Sequence, residues 1–398
     1  MSTSLAIGGS TINLNQSLNI NVVIALKRIF SVILFILAIS CTRKEPVFNP
    51  LDRAENISFL KDGQCSCDFV FLSRNRGSNP GYIAKMELDQ NGNIFVFDPR
   101  QGVLKYEANG KFDCQIGQRG RGPGEYISPL DFTYDTFSDN ILILHYKGVS
   151  RYDTKGRFLL RYDLPEFNYD AVICGKEGLL LIAASPNHAI EDLKTPHRIF
   201  HFYSFAEKKI VKQLNQRKDI ILNNNLVTQS FDFKHYIRPL YGYGDLLEVD
   251  ESLNIISKES VSFGKMGAPK EYLLNNQTLD LPRYIMSNYY KMPLYFHDTQ
   301  RVKYFCAIGP DGNYSHFVFG KETGAGFYWE DKDDKVPSVI GCASDTDYLY
   351  FYVPDMGCLL EQDPEGMDLL PNLLVRKYRE SAQNEKGECI AKIRFIFQ

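Results

Sequence analysis

A segment of 46 residues occurs twice in succession in this chain, and that repetition limits the fold more than any single motif does. The first copy runs Leu88-Asp-Gln-Asn-Gly-Asn-Ile-Phe-Val-Phe-Asp98, then Val103 to Tyr106, then Asn109 to Phe112, and ends near Ile116-Gly117. The second runs Ser138 to Leu144, Val149 to Tyr152 and Thr154 to Phe158, so that Tyr106 maps to Tyr152 and Phe112 to Phe158. Each short apolar run is bounded by turn residues, the signature of strands joined by tight hairpins. A four-stranded unit of this period cannot bury both of its faces alone, so it must pack against further copies of itself, as the blades of a β-propeller do.

Looser copies follow. Gly178 to Ile182 leads to Ile199 to Tyr203, Asp245 to Val249 leads to Ile255-Ile256, Pro293 to Phe296 leads to Tyr304-Phe305, and Tyr348 to Tyr352 stands near the end. That makes six strand groups, and the reading is all-β: a six-bladed β-propeller of four-stranded antiparallel blades. The last run, Ile390 to Phe397, alternates as a strand should and is expected to close the ring by pairing with the segment from Asn56 to Leu60, which removes an open edge. A β-sandwich or an irregular pair of all-β domains is the alternative. Composition agrees, with 24 Tyr, 27 Phe and 29 Gly against a single Trp, because aromatic residues suit half-buried pleated strands.

The N-terminus carries an export signal. Lys27-Arg28 precede the apolar run Ile29 to Ile39, which is followed by Ser40-Cys41 and then by Thr42-Arg43-Lys44-Glu45. This run is shorter than the roughly 20 residues a membrane span needs and matches the apolar part of a signal peptide. Leu37-Ala38-Ile39-Ser40-Cys41 resembles the bacterial lipobox, and that resemblance implies lipidation of Cys41 and cleavage before it. Ile39 departs from the small residue usual there. The expected organisation is therefore a lipoprotein signal peptide over 1–40 with an over-extended start, a lipidated tether over 41–56, and the propeller over 57–398. The address is the bacterial cell envelope, lipid-anchored and periplasm-facing, since no acidic run follows Cys41.

The stretch Gly117-Gln-Arg-Gly-Arg-Gly-Pro-Gly-Glu-Tyr126 resembles the blade-linking segment of NHL-like six-bladed propellers, especially the propeller lipoproteins of Bacteroidetes. Phe231 to Val249 and Phe263-Gly264-Lys265 resemble that family's middle blades. Departures occur at Tyr243-Gly244-Asp245 and at an insertion around Asn187 to His197. The resemblance implies a fold and an address, and no reaction. Taken by itself, the glycine segment lacks the Lys-Ser/Thr ending of a P-loop and the strand-to-helix setting of a dinucleotide fingerprint, so it reads as a connector.

With 45 basic and 48 acidic residues, the chain offers no electrostatic case for nucleic acid. It has no G-x-S-x-G, no H-E-x-x-H and no zinc-finger spacing. Cys65-Ser66-Cys67 lacks a second pair, Asp331 to Asp334 lacks the rest of a calcium loop, and Cys174, Cys306 and Cys342 sit in strand-like apolar surroundings that predict burial. Eight cysteines follow Cys41, and their spacing does not define a pairing. In a blade, the link to the next blade and the loop between the second and third strands leave on one face. That face is expected to carry Asp98, Arg100, Arg119, Arg121, Glu125, Tyr126, His145 and Lys147 as a ligand-binding surface, with the turns Asp89 to Gly92 and Thr154 to Gly156 opposite. Two functions fit: a non-catalytic binding or scaffold protein for a glycan, peptide or envelope partner, without a cofactor, or a metal-dependent hydrolase or lyase with a divalent ion at the channel mouth.

Overall fold

The computed structural model describes residues 48–56, 65–73, 79–164, 169–183, 198–216, 227–237, 246–259, 261–269, 274–275, 278–279, 283, 286–331, 341–353, 378–379 and 388–397. All of them lie within one compact unit, Val47–Gln398. Cys41, the Asn187 to His197 insertion and Tyr243-Gly244-Asp245 lie outside the described residues.

Among the described residues there are six blades of four antiparallel strands, one of them extended by a fifth, parallel strand. Blade 1 holds Lys85–Leu88, Ile94–Asp98, Gly102–Tyr106 and Phe112–Ile116. Blade 2 holds Pro129–Asp135, Asn140–His145, Gly148–Asp153 and Phe158–Asp163. Blades 3 and 4 begin at Ala171–Cys174 and Val227–Gln229, and blade 5 runs from Lys291–Asp298 to Gly326–Glu330. The first strand of each blade lies innermost, and these inner strands neighbour one another in ring order.

The repeat shows in the hairpins. Tyr106 and Tyr152 are fully buried, and each meets its partner edge to face, Phe112 at 5.7 Å and Phe158 at 5.8 Å between ring centroids. The pairing register shifts at the same place in four blades, before Tyr106, Tyr152, Tyr203 and Val249. An extra residue there bends the outer strand and raises its twist. At the same end of the blades an Asp closes a turn: in the first hairpin of blade 1, Asp89 Oδ1 accepts from Asn91 N and Asn93 N at 2.8 and 2.9 Å. Asp153 Oδ1 does the same for Lys155 and Arg157, and Asp250 Oδ1 for Ser252 and Asn254. Such side-chain mimicry of a backbone turn is why Asp recurs at this position.

Ring closure differs from the expected pairing. Blade 6 takes Gly341–Ser344, Leu349–Val353 and Cys389–Phe395 from the C-terminal part and Cys65–Phe71 as its outermost strand. Cys65–Phe71, rather than a strand over 56–60, therefore pairs with the last strand, from Cys65↔Phe395 to Phe71↔Cys389. Ala54–Asn56 adds in parallel to the outer strand of blade 5 instead, and residues 57–60 lie outside the described ones. Both stretches could offer a strand, and only the position of the last blade selects between them.

Candidate functional site

Each inner strand presents an unpaired edge to the axis, and a buried unpaired backbone group costs about as much as a lost hydrogen bond. At blades 2, 3, 5 and 6 the preceding blade supplies partners. From blade 1, Lys85 Nζ donates to the Phe132 carbonyl at 2.6 Å, and Glu87 Oε2 accepts from Tyr134 N at 2.6 Å. From blade 2, Asp131 Oδ2 accepts from Val172 N at 2.9 Å. From blade 4, Thr228 Oγ1 donates to the Phe296 carbonyl at 2.7 Å, and from blade 5, Tyr304 Oη accepts from Gly341 N at 3.1 Å.

Lys85 binds this axial network electrostatically. Its Nζ lies 3.0 Å from Glu87 Oε1 and 3.0 Å from Asp131 Oδ1, with all three residues buried. Burial works against the ammonium charge, but Asp131 and Glu87 outweigh it and hold Lys85 protonated. Burial pushes both carboxyls up, and Lys85 draws them back. Phe233 and His235 from the first hairpin of blade 4 reach blade 2, where Phe233 packs on Tyr134 and His235 Nε2 lies 3.4 Å from Thr133 Oγ1. Among the described residues no group of three or more His, Cys, Asp or Glu is arranged to hold a metal ion.

The eight residues expected on the connector face divide by orientation. Arg100, Arg119, Arg121 and Lys147 are exposed. Arg119 and Arg100 come together, Arg119 Nη1 donating to the Arg100 carbonyl at 2.6 Å. Asp98 is fully buried, and its carboxylate accepts from Gly81 N at 2.8 Å and Arg100 N at 2.7 Å. Tyr126 is buried with its hydroxyl donating to the Ile116 carbonyl at 3.1 Å. Glu125 folds back on the loop, accepting from Gln118 Nε2 at 2.9 Å and Gly122 N at 2.7 Å. A Cβ on Gly120 would stand 1.9 Å from its carboxylate, so a side chain there would push the end of Glu125 aside.

His145 also turns inward. Its Nδ1 accepts from Lys147 N at 3.2 Å and its Nε2 lies 2.9 Å from Ser150 Oγ, an arrangement that fits the neutral ring protonated on Nε2. Burial, with Arg161 nearby, lowers its pKa to about 4. Tyr146 beside it is 74% exposed, which places an open aromatic ring next to Lys147.

The two-face expectation fails at the outer strands. Gly117 N bonds to the Gly156 carbonyl at 3.4 Å, and Tyr152 Oη donates to the Gly124 carbonyl at 3.1 Å. The hairpin over 154–156 therefore touches the connector it was expected to oppose, because strand twist accumulates outward across a blade and swings the outer strand toward its neighbour.

Other candidates are structural in their surroundings. Cys65 and Cys67 share a buried face of blade 6, and Cys174 and Cys306 are buried while Cys342 is half-buried. His201 bonds Tyr169 inside blade 3. Asp331 pairs with buried His316 at 3.2 Å, and residues 332–334 lie outside the described ones. His316 stacks on Trp329 at 4.9 Å; burial disfavours its charge, but Cys306 and Asp331 outweigh that and raise its pKa to about 10. Sequence reasoning missed the axial network, since nothing local marks Lys85, Glu87 or Asp131 as inward-facing.

Comparison with known proteins gives the fold a family. A Bacteroides fragilis protein described as exported is similar in structure, with a TM-score of 0.67 at 17% identity over 87% of this chain and 99% of that one. The Neurospora crassa Pan2 WD40 domain (TM-score 0.40, 7% identity, 74% of this chain and 94% of that one) is too distant to argue from. A comparison with curated proteins finds no match. Residues 62–335 match the profile of a family described as a 6-bladed beta-propeller, DUF5128, and with more than half its length matched the chain belongs to that family.

Proposed function

We propose that this protein is a lipid-anchored propeller of the bacterial cell envelope, of the NHL-like type, that binds an acidic glycan, peptide or partner protein without catalysing a reaction. The observation that supports this reading is the basic rim. Arg100, Arg119, Arg121 and Lys147 are exposed there, whereas the carboxylates of Asp98 and Glu125 are folded into backbone hydrogen bonds. Arg100 and Arg119 are in contact there, and exposed Tyr146 adds an aromatic surface of the kind that binding sites favour. Loops on a rigid scaffold are where such binding residues collect. Attachment through Cys41 rests on the lipobox resemblance and the periplasmic side on the lack of an acidic run after it, and the exported Bacteroides fragilis neighbour supports export.

Two measurements test it. Radiolabelled palmitate should enter the full-length protein and should be absent from Cys41→Ser, which should leave the membrane fraction; labelling that survives would overturn the anchor. Titration with a uronate-rich polysaccharide and with a poly-glutamate peptide should show binding by at least one of them. That binding should weaken at least tenfold in Arg119→Glu/Arg121→Glu and weaken with salt, as surface charge attraction does. Binding by neither, or binding indifferent to both changes, would overturn the rim as the site, and turnover of the polysaccharide would favour the hydrolase or lyase reading.

A further inference from the structure

The outer edge of blade 2 differs from the edges around it. In blade 1 the outer strand Phe112–Ile116 exposes Asp113, and in blade 3 Lys209–Gln216 exposes Lys209 and Lys212 beside Val211. In blade 6 Cys65–Phe71 exposes Ser66 and Asp68, and the outer strand of blade 5 is covered by Ala54–Asn56. Edge charges and covering strands keep an unpaired edge from joining another chain. Phe158–Asp163 is the outermost strand of blade 2, and its Phe158, Leu159 and Leu160 are 41%, 48% and 39% exposed in succession. Adjacent apolar side chains on an open edge mark an association surface.

The charges on this strand say what fits it. Arg161 and Asp163 project from one face, as alternate residues of a strand do, and Arg161 Nε lies 2.8 Å from Asp163 Oδ1 with both side chains exposed. A second copy laid antiparallel along the edge is related by a two-fold axis, which sets one residue opposite itself. Centring on Arg161 or on Asp163 puts like charges in direct opposition, which destabilises a cross-strand pair. Centring on Leu160 carries the pairing across Leu159, the extra residue at the register shift, where Arg151 faces Leu160 and Tyr152 faces Phe158. Tyr162 is the centre that remains. About it, each Arg161 faces the partner's Asp163, so the ion pair within each chain joins its copy in a row of four charges of alternating sign. Leu160 then faces the partner's Leu164.

We propose that the protein forms a two-fold dimer through the outer edge of blade 2, with Phe158–Asp163 of the two chains antiparallel about Tyr162. The two blades continue into each other as one eight-stranded sheet, and Phe158 and Leu159 lie at the ends of the seam. Because the axis closes on itself, each copy covers the other's edge and no third copy is recruited. The dimer does not depend on what the rim binds.

The test uses residues 47–398, the compact unit of the fold, in analytical ultracentrifugation. The expected species is a dimer that dissociates reversibly on dilution. Arg161→Asp and Asp163→Arg should each weaken self-association at least about tenfold, since the symmetry makes every like-charge opposition occur twice. Mixed in equal amounts, the two variants should associate again, because each then meets its opposite charge; mixing would not cure a folding defect. Leu160→Lys should abolish the dimer with the circular dichroism spectrum unchanged. A protein monomeric at every concentration, a dimer indifferent to Leu160→Lys, or mixed variants that stay monomeric would overturn the proposal, and the first of these would leave the edge to a partner other than a second copy.

Discussion

Lys85 and Asp131 stand 46 residues apart, the period of the repeat, and their side chains meet at 3.0 Å on neighbouring inner strands. Equivalent positions in adjacent blades have thus diverged into opposite charges that tie the two blades at the axis.

Lys85→Met should be strongly destabilising. It leaves Glu87 and Asp131 buried without their cation and the Phe132 carbonyl without its donor. Breaking one side of a buried ion pair costs about 3–5 kcal/mol, a large share of a domain's stability. Urea denaturation should show the loss as a lower midpoint, partly recovered by Lys85→Met/Glu87→Gln/Asp131→Asn; an unchanged midpoint in the single variant would show the network to be dispensable.

Acid should unfold the protein through its buried histidines. Burial, with Lys85 as a nearby cation, lowers the His235 ring to about 3, and burial lowers His297 to about 4. Unfolded histidine titrates near 6.5, so between there and about pH 4 the unfolded chain binds more protons than the folded one and stability falls as pH falls. His316 has the opposite sign: its folded pKa, about 10, lies above the unfolded value, so its contribution is complete below about 6.5 and is lost as pH rises toward 10. Denaturation midpoints measured from pH 4 to 10 should peak near neutrality. His235→Gln should flatten the acid limb, and an acid limb of unaltered slope would remove His235 from its cause.

Closure of the ring should depend on Cys65–Phe71. A chain starting at Asn79 loses the strand that covers Cys389–Phe395 and leaves that edge open. Open edges pair with other chains, so this truncation should aggregate in light scattering while a chain starting at Val47 elutes as a defined species. A monodisperse 79–398 chain would show that closure is not required.

Two glycine substitutions should differ in size. Gly102 has φ +105°, and a Cβ there would sit 2.0 Å from Tyr126 Oη, displacing the tyrosine that anchors the connector. Gly92 has φ +77° but its nearest neighbour would be 3.7 Å away. Gly92→Ala should cost about 1 kcal/mol from backbone strain alone, and Gly102→Ala clearly more. Equal losses of thermal stability would show that the Tyr126 approach adds nothing.

Much of the fold was readable before any coordinates. The Tyr106/Tyr152 correspondence, the Asp-closed turns and the six strand groups are local in sequence, and hydrophobic periodicity together with turn chemistry reports local structure directly. The candidate face was readable only in part. Arg100, Arg119, Arg121 and Lys147 are exposed, but Asp98, Glu125, Tyr126 and His145 bind their own backbone or core, and residue type does not disclose which way a side chain turns.

The sequence by itself determined that the chain is a ring of repeated four-stranded units, because a blade's period and alternation are written in consecutive residues. Only the tertiary structure decided that Cys65–Phe71 closes the ring and that Lys85, Glu87 and Asp131 cap neighbouring edges. Each of those contacts joins residues far apart in the chain, and accumulated blade twist and ring closure, which no local pattern encodes, determine which distant groups meet.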